Sequence, residues 1–528
     1  MTIAELLDGI MGFVWGPVMV VFLVGTGLYL TVRLRLVQVF RLGHAVRCIS
    51  GRYDRPEEQG DITHFQALAA ALSATIGTGN IAGVATAIAF GGPGAVFWMW
   101  LTAIVGMATK FTSCSLAIRF RELNPDGSAS GGPMYYLEKG FAPRWLVAMA
   151  GEHRTRRWAT TLGVGFALFA LVASFGIGNM VQANSVVKGI EFVVPASVAE
   201  RGFSVSAGRF GGVGIDYLDL AIGVFLSALV GVVIIGGIRR IARVASRIVP
   251  TMCVLYVGGA LIVIGLNASH IPDALAAIVR YAFTPMAAGG GFLGTVVAQT
   301  MRYGVARGVF SNESGLGSAP IAHAAAKTKE MIREGFVAML GPFIDTIVIC
   351  TLTALVILTT DVWQVRDASG AVLYGIGSLN GHKGVDGALV VADPAGQPLR
   401  GPDGTPYPVP TSSSLTAAAF EAGLPRVGKY IVAIGLVFFA YSTMISWSYY
   451  GDRCAEFLFG PRAILPYRVL FVALIVVGAV GGLRTVWTLA DILNASMAIP
   501  NLIGLLALSG LVARETQGYL GRLDAGEF

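Results

Sequence analysis

Two stretches of this chain combine residue types that an apolar helix seldom holds. Gly77-Thr78-Gly79-Asn80 interrupts the run LAAALSATIGTGNIAGVATAIAF. Ser311-Asn312-Glu313-Ser314-Gly315, with Gly317 and Pro320 just after, interrupts FLGTVVAQTMRYGVARGVFSNESGLGSAPIAHAAAK. Glycine costs about 1 kcal/mol relative to alanine in a helix interior, and Thr, Ser and Asn offer the backbone competing side-chain hydrogen bonds. Where such a helix unwinds, its freed amides can hold an anionic group and its freed carbonyls a cation. The same glycines could instead serve close helix packing. Either way the chemistry is binding rather than bond-making. No HExxH, P-loop or nucleophile elbow occurs, so the chain does not read as an enzyme.

Three further runs supply candidate lining groups. In Phe175-Gly176-Ile177-Gly178-Asn179-Met180-Val181-Gln182, Asn179 and Gln182 are three apart and share a helix face, with Phe175 four before Asn179. An aromatic and two amides suit a small zwitterion, although amides equally bond neighbouring helices. In GPFIDT, Asp345 is an acid within an apolar run. It either stabilises a cation or accepts helix-end and hydroxyl hydrogen bonds. In Tyr441-Ser442-Thr443-Met444-Ile445-Ser446, the hydroxyls of Ser442 and Ser446 lie one turn apart with Thr443 beside them. Such oxygens are hard ligands for an alkali cation, and serines are also common at helix contacts.

The elements that carry these groups follow from composition. Of 528 residues 55% are hydrophobic and 13% charged, with 69 glycines; a soluble protein carries about 25% charge. A nucleic-acid binder with its +7 on one basic face is excluded too. A membrane-crossing helix needs about 20 apolar residues. Eleven stretches qualify, near 11–32, 65–89, 94–118, 159–187, 216–237, 248–267, 292–323, 335–360, 428–451, 464–483 and 486–512, numbered here as spans I to XI. The chain therefore reads as an all-α polytopic membrane protein. Of its 38 lysines and arginines, 25 fall inside if the N-terminus is outside, against 10 outside and 3 within spans. This predicts N-out, C-in, with a tetrabasic inner turn at 238–247. Cys48, Cys114, Cys253, Cys350 and Cys454 share no motif and are expected as free thiols. The outer loop 361–426 has turn signals that fit either a small β-hairpin cap or a plain surface loop.

The breaks open two five-span sets, II–VI and VII–XI. An odd number of spans per set forces opposite orientations, and paired interrupted helices in corresponding positions point to a midplane binding site. The expected organisation is residues 1–64 as an extra helix and basic inner loop, 65–267 and 268–512 as the two repeats, and 513–528 as a cytoplasmic tail.

At SATIGTGNIAGVATAI (73–88), SGGPMYYLEKG (130–140), GIGNMVQANSV (176–186), GVARGVFSNESGLGSAPIAHAAAKT (304–328) and GPFIDT (341–346) the sequence resembles the alanine or glycine:cation symporters, also called sodium:alanine symporters. The resemblance implies a LeuT-type inverted repeat of ten helices, with span I as the extra one. It implies Na+-coupled uptake of small neutral amino acids, chiefly alanine and glycine, in the bacterial cytoplasmic membrane. It further implies that Gly77, Thr78, Gly79 and Asn80, and Ser311, Asn312 and Gly315, contact the substrate or ion, with Phe175, Asn179 and Gln182 lining the pocket. Carbonyls near Thr75–Thr78 and hydroxyls of Ser442, Thr443 or Ser446 would form a sodium site, with Asp345 a further candidate ligand. Two alternatives stay open at this point: proton coupling through Asp345 or Glu313, and a channel or non-transporting sensor on the same fold. Asn80→Ala is expected to weaken transport while the protein still reaches the membrane; unchanged uptake kinetics would remove Asn80 from the site.

Overall fold

In the computed structural model, the described residues are 3–55, 57–124, 128–191, 206–210, 213–284, 293–364, 411–481 and 484–527, plus 193, 400, 401 and 404. Among them nine helices are long and apolar enough to cross a membrane, and a tenth span is the pair His64–Thr75 and Gly79–Gly91, bent by 54°. That pair is span II. Span VII runs as helix Leu293–Asn312, a break, and a short helix Ala319–His323. It is the one expected span that falls short, because Gln299, Arg302, Arg307 and Asn312 lower its hydropathy and the break cuts its length. The expected eleven spans are thus met by ten on length and apolarity.

One expectation is corrected by the helix limits. The tetrabasic 238–247 segment is not a turn but lies within the first eleven residues of the 30-residue helix Gly237–Leu266. Arginine is a good helix former, and the reversal needs only Ile235 and Gly236, with Gly237 at φ +63°. Residues 513–524, expected as part of a tail, continue the helix of span XI. Connections that read as loops also hold helices: Pro133–Gly140 between spans III and IV, Ile271–Phe283 before span VII and Ser412–Gly423 before span IX. The hairpin reading of the 361–426 loop falls outside the described residues. All five cysteines are free.

The core that positions the breaks is spans III, VII and VIII, and it is packed through small residues. A methyl group at Gly308 of span VII would lie 2.3 Å from Thr102 Oγ1 of span III, and one at Gly304 would lie 2.4 Å from the Ala95 carbonyl. On span VIII, one at Gly335 would lie 2.2 Å from Ser115 Oγ. Backbones this close exclude water from the adjoining break and bring its polar groups within reach of each other. Much of the glycine surplus therefore serves packing.

Outside this core, the chain after span I continues as short helices Val37–Phe40 and Leu42–Ile49. His44 anchors the second: it is buried against Phe336 and hydrogen-bonded to Tyr519 Oη (3.0 Å). Burial, then the charges of Arg333, Arg47 and Arg41, push its pKa down to about 4, so it stays neutral at ordinary pH.

Gly308→Ala is expected to cost about 1–3 kcal/mol by overpacking and to lower the thermal midpoint of the detergent-purified protein. Adding Thr102→Ala should recover part of that loss. A single variant as stable as the parent would show that the III–VII approach can relax.

Candidate functional site

Span II stops being helical after Thr75. Ile76 is extended (ψ +92°), and the chain rewinds from Gly79 in a wide, π-type turn to Gly83 before regular helix resumes. The opening exposes backbone groups that must be satisfied in a dry interior. Asn80 meets part of this demand: its Oδ1 accepts from Gly77 N–H (2.9 Å). Its Nδ2 donates to the carboxylate of Asp345 (2.7 Å) and to the Asp345 carbonyl (3.1 Å).

Span VII breaks by a different route. Its helix ends at Asn312, and the backbone then turns through left-handed Glu313 (φ +53°), Gly315 (φ +87°) and Gly317 (φ +95°) before Ala319. Asn312 plays the part of Asn80, with Oδ1 accepting from Ser314 N–H (3.0 Å) and Nδ2 donating to Thr346 Oγ1 (3.1 Å). Glu313 accepts from Ser318 Oγ (2.5 Å) and from Trp447 Nε1 of span IX (3.0 Å).

Both breaks converge on span VIII. A second wide-wound stretch, Phe343–Cys350, presents Asp345 and Thr346 inward. The Asp345 carboxylate is fully buried and accepts from Asn80 on one oxygen and from the Ser311 and Thr346 hydroxyls on the other (2.8 Å each). A methyl group at Gly79 would come within 3.1 Å of Ser311 Cα, so the two breaks touch. Asn80, Ser311, Asn312, Asp345 and Thr346 thus form one cluster.

A second polar face of break II meets spans IX and IV. Ser73 and Ser442 are bonded reciprocally, each hydroxyl donating to the other's carbonyl (2.7 and 3.2 Å). A methyl group at Gly77 would lie 2.8 Å from Thr443 Oγ1 and 3.9 Å from Gln182 Oε1. Gln182 Oε1 and Ser446 Oγ are buried without a hydrogen-bond partner among the described residues. Such atoms in a native interior call for an explanation, and a ligand is one.

Not every expected residue is brought to the breaks. Phe175 packs on the Tyr467 and Phe471 rings of span X, with centroids 5.1 and 6.3 Å away. Asn179 donates to the Phe471 carbonyl (2.6 Å). The wide turn Gly176–Met180 rotates both away from the face that Gln182 presents. Gly315 lies against Leu23 and Leu502, and its carbonyl accepts from Asn501 (2.7 Å), so it braces break VII against spans I and XI. The Thr75 hydroxyl turns back to the Ala71 carbonyl (3.2 Å). Thr78 is buried at the start of the wide turn.

The structure adds residues that the sequence reading passed over. Lys110 is buried in span III, with Glu313 and Asp345 among the groups whose charges act on it. A lone lysine in the middle of an apolar span was the available signal. Where span II starts and span VII ends, the Glu334 carboxylate bridges His64 and His323, each 2.5 Å away. His323 is thus a hydrogen-bonded helix-end residue, and the start of span II is tied to the end of span VII. Arg121 reinforces that closure by donating to the carbonyls of Ala324, Ala326, Thr328 and Gln59 (2.6–2.9 Å). At the opposite end of spans IV and IX, a cavity of about 340 Å³ is lined by Lys188, Ser414, Ala417, Val432 and Leu436, among others.

Comparison with known proteins fits this arrangement. The family model described as the sodium:alanine symporter family matches residues 1–391 and 406–528. The chain is 43% identical over 519 residues to the sodium/alanine symporter AgcS of Methanococcus maripaludis, covering 98% of each. It is 34% identical over 530 residues to the probable sodium/glutamine symporter GlnT of Bacillus subtilis, covering 99% of this chain and 93% of that one. Among solved structures, MhsT in complex with L-phenylalanine aligns with a TM-score of 0.50 at 12% identity, over 87% of this chain and 98% of that one, which supports the LeuT-type fold alone. On the family match and these long alignments, the chain is a membrane transporter rather than an enzyme and belongs to the sodium:alanine symporter family.

Proposed function

We propose that this transporter imports small neutral amino acids, alanine and glycine, by symport with Na+ in an alternating-access cycle. The observation that carries this reading is the pair of touching helix breaks with a buried, unpartnered amide oxygen, Gln182 Oε1, facing Gly77 beside Thr443. An amino-acid ammonium is the donor that such an oxygen lacks. The substrate carboxylate would meet backbone amides of the breaks near Gly77–Asn80 and Ser311–Asn312. The narrow space that glycine leaves at position 77 favours a small side chain.

Sodium has two candidate seats. One lies between spans II and IX, where carbonyls near Thr75–Thr78 face the hydroxyls of Ser442, Thr443 and Ser446. The other is the Asp345 cluster, whose Ser311 and Thr346 partners offer further oxygens. Hard oxygen donors in both suit an alkali cation. One Na+ driven through 100 mV supplies about 2.3 kcal/mol before any concentration gradient counts. Phe175 and Asn179 act in this reading through span X, by setting how span IV presents Gln182. The bias of basic residues toward one set of loops supports an orientation with the N-terminus outside, and in this reading the membrane is the bacterial cytoplasmic one.

Radiolabelled alanine uptake into vesicles should require an inward Na+ gradient and be competed by glycine. Uptake driven by a pH gradient without Na+ would instead make Asp345 or Glu313 a proton carrier. Thr443→Val, which keeps the shape and removes one oxygen, should raise the half-saturating Na+ concentration about tenfold, the order of one hydrogen-bond-sized contact. Asp345→Asn should reduce uptake at least a hundredfold, since it takes a buried charge from three donors. Wild-type Na+ dependence in both variants would sink these sites.

A further inference from the structure

The inner end of span I carries chemistry that the breaks do not use. Its helix stops at Arg33, the backbone turns through left-handed Arg35 and Leu36 (φ +56° and +54°), and the short helix Val37–Phe40 follows. The helical extension of span XI runs alongside this corner. Between them lies a cavity of about 470 Å³, whose lining includes Arg33, Arg35, Phe40, Arg41, Leu520 and Asp524.

The charges in that lining do not balance. Asp524 is its single acid, and Arg41 takes both carboxylate oxygens (2.9 and 2.8 Å). Arg33 and Arg35 have no carboxylate within ion-pair distance among the described residues; the Arg33 guanidinium lies over the Tyr29 ring at 6.0 Å. Three arginines against one aspartate leave the cavity with two uncompensated positive charges. Its rim is apolar and open: Leu36, Val39 and Phe40 are 42%, 54% and 74% exposed. Guanidinium groups match phosphate oxygens in pairs, and apolar side chains at the end of a membrane span face hydrocarbon rather than water.

We propose that this cavity binds the headgroup of an anionic phospholipid. Arg33 and Arg35 hold the phosphodiester, and the acyl chains lie over Val39, Phe40 and the flank of span I. A free phosphate would satisfy the arginines but leave the apolar rim uncovered. A zwitterionic headgroup would bring its own cation against them. The extra span, which supplies no polar group to the Asp345 cluster, and the helical extension of span XI thereby form one lipid-binding corner.

The test uses the full chain purified in a neutral detergent. Phosphatidylglycerol, phosphatidylcholine or inorganic phosphate is titrated in, with bound lipid counted by native mass spectrometry and the thermal midpoint followed in parallel. Saturable retention of phosphatidylglycerol with a raised midpoint, and neither effect from the other two, is the expected result. Each basic residue near an anionic headgroup is worth about fivefold in affinity, so Arg33→Gln with Arg35→Gln should weaken binding about 30-fold. Should that double variant not fold, Arg35→Gln alone, at an exposed position beyond the helix end, should weaken it about fivefold. Equal retention of phosphatidylcholine, the same stabilisation by phosphate alone, or undiminished phosphatidylglycerol binding by the variants would each overturn the proposal.

Discussion

The carboxylate of Asp345 is the contact on which the centre of this protein depends. A carboxylate far from water is tolerated only when its lone pairs are taken by good donors. Here Asn80, Ser311 and Thr346 supply them, one each from spans II, VII and VIII. Two of these donors are placed by departures from regular helix, Asn80 by the wide turn after Gly79 and Thr346 by the wide winding of Phe343–Cys350, while Ser311 stands in the last turn before the helix ends at Asn312. Regular helices would point these groups elsewhere and leave the charge unpaired. The breaks and the acid therefore stabilise one another, and neither is understandable alone.

The same logic explains why two asparagines stand at equivalent places. An unwound segment at bilayer depth loses intrahelical partners with no water to replace them. Asn80 and Asn312 each use their side-chain oxygen to accept a backbone N–H within their own break and their amide nitrogen to donate to span VIII. An asparagine is both donor and acceptor in one planar group, so it can cap a break and anchor it at once. Aspartate would lose the donor, and serine would lose the reach.

How much of this was legible in the sequence depends on which physical signal carried it. The paired breaks were, because glycine, hydroxyl and amide residues inside apolar spans conflict with helix propensity, and Asp345 was, because an acid in a span is costly. Span limits were less so: arginines at 238–247 read as a turn by charge, whereas helix propensity extends the helix over them. Side-chain direction was not legible at Phe175 and Asn179. Three-residue spacing puts Asn179 and Gln182 on one face only if the helix is regular, and the wide turn at Gly176–Met180 rotates that face midway. The hub's third donor, Thr346, has no signature of its own beyond its place next to Asp345, and Lys110 had one that drew too little weight.

The distribution of polar contacts also says which parts can move together. Spans II, VII and VIII are joined at the breaks by Asp345 and at one end by Glu334 with His64 and His323. Described side-chain polar contacts from this set to span IX are sparser: the Ser73–Ser442 pair and the Glu313–Trp447 bond, with Gly77 set against Thr443. Relative motion is cheapest along the less bonded seam, since packed sets bound by buried charge resist deformation while a few hydrogen bonds cost little to exchange. On the proposed function, that seam is where sodium would sit, between Thr75–Thr78 and Ser442, Thr443 and Ser446. A cation there adds several oxygen contacts across the joint that must shift, and its departure removes them. The ion can then bias the transporter between states by binding one side of a weak joint, without disturbing the acid-centred hub that keeps the two breaks in register.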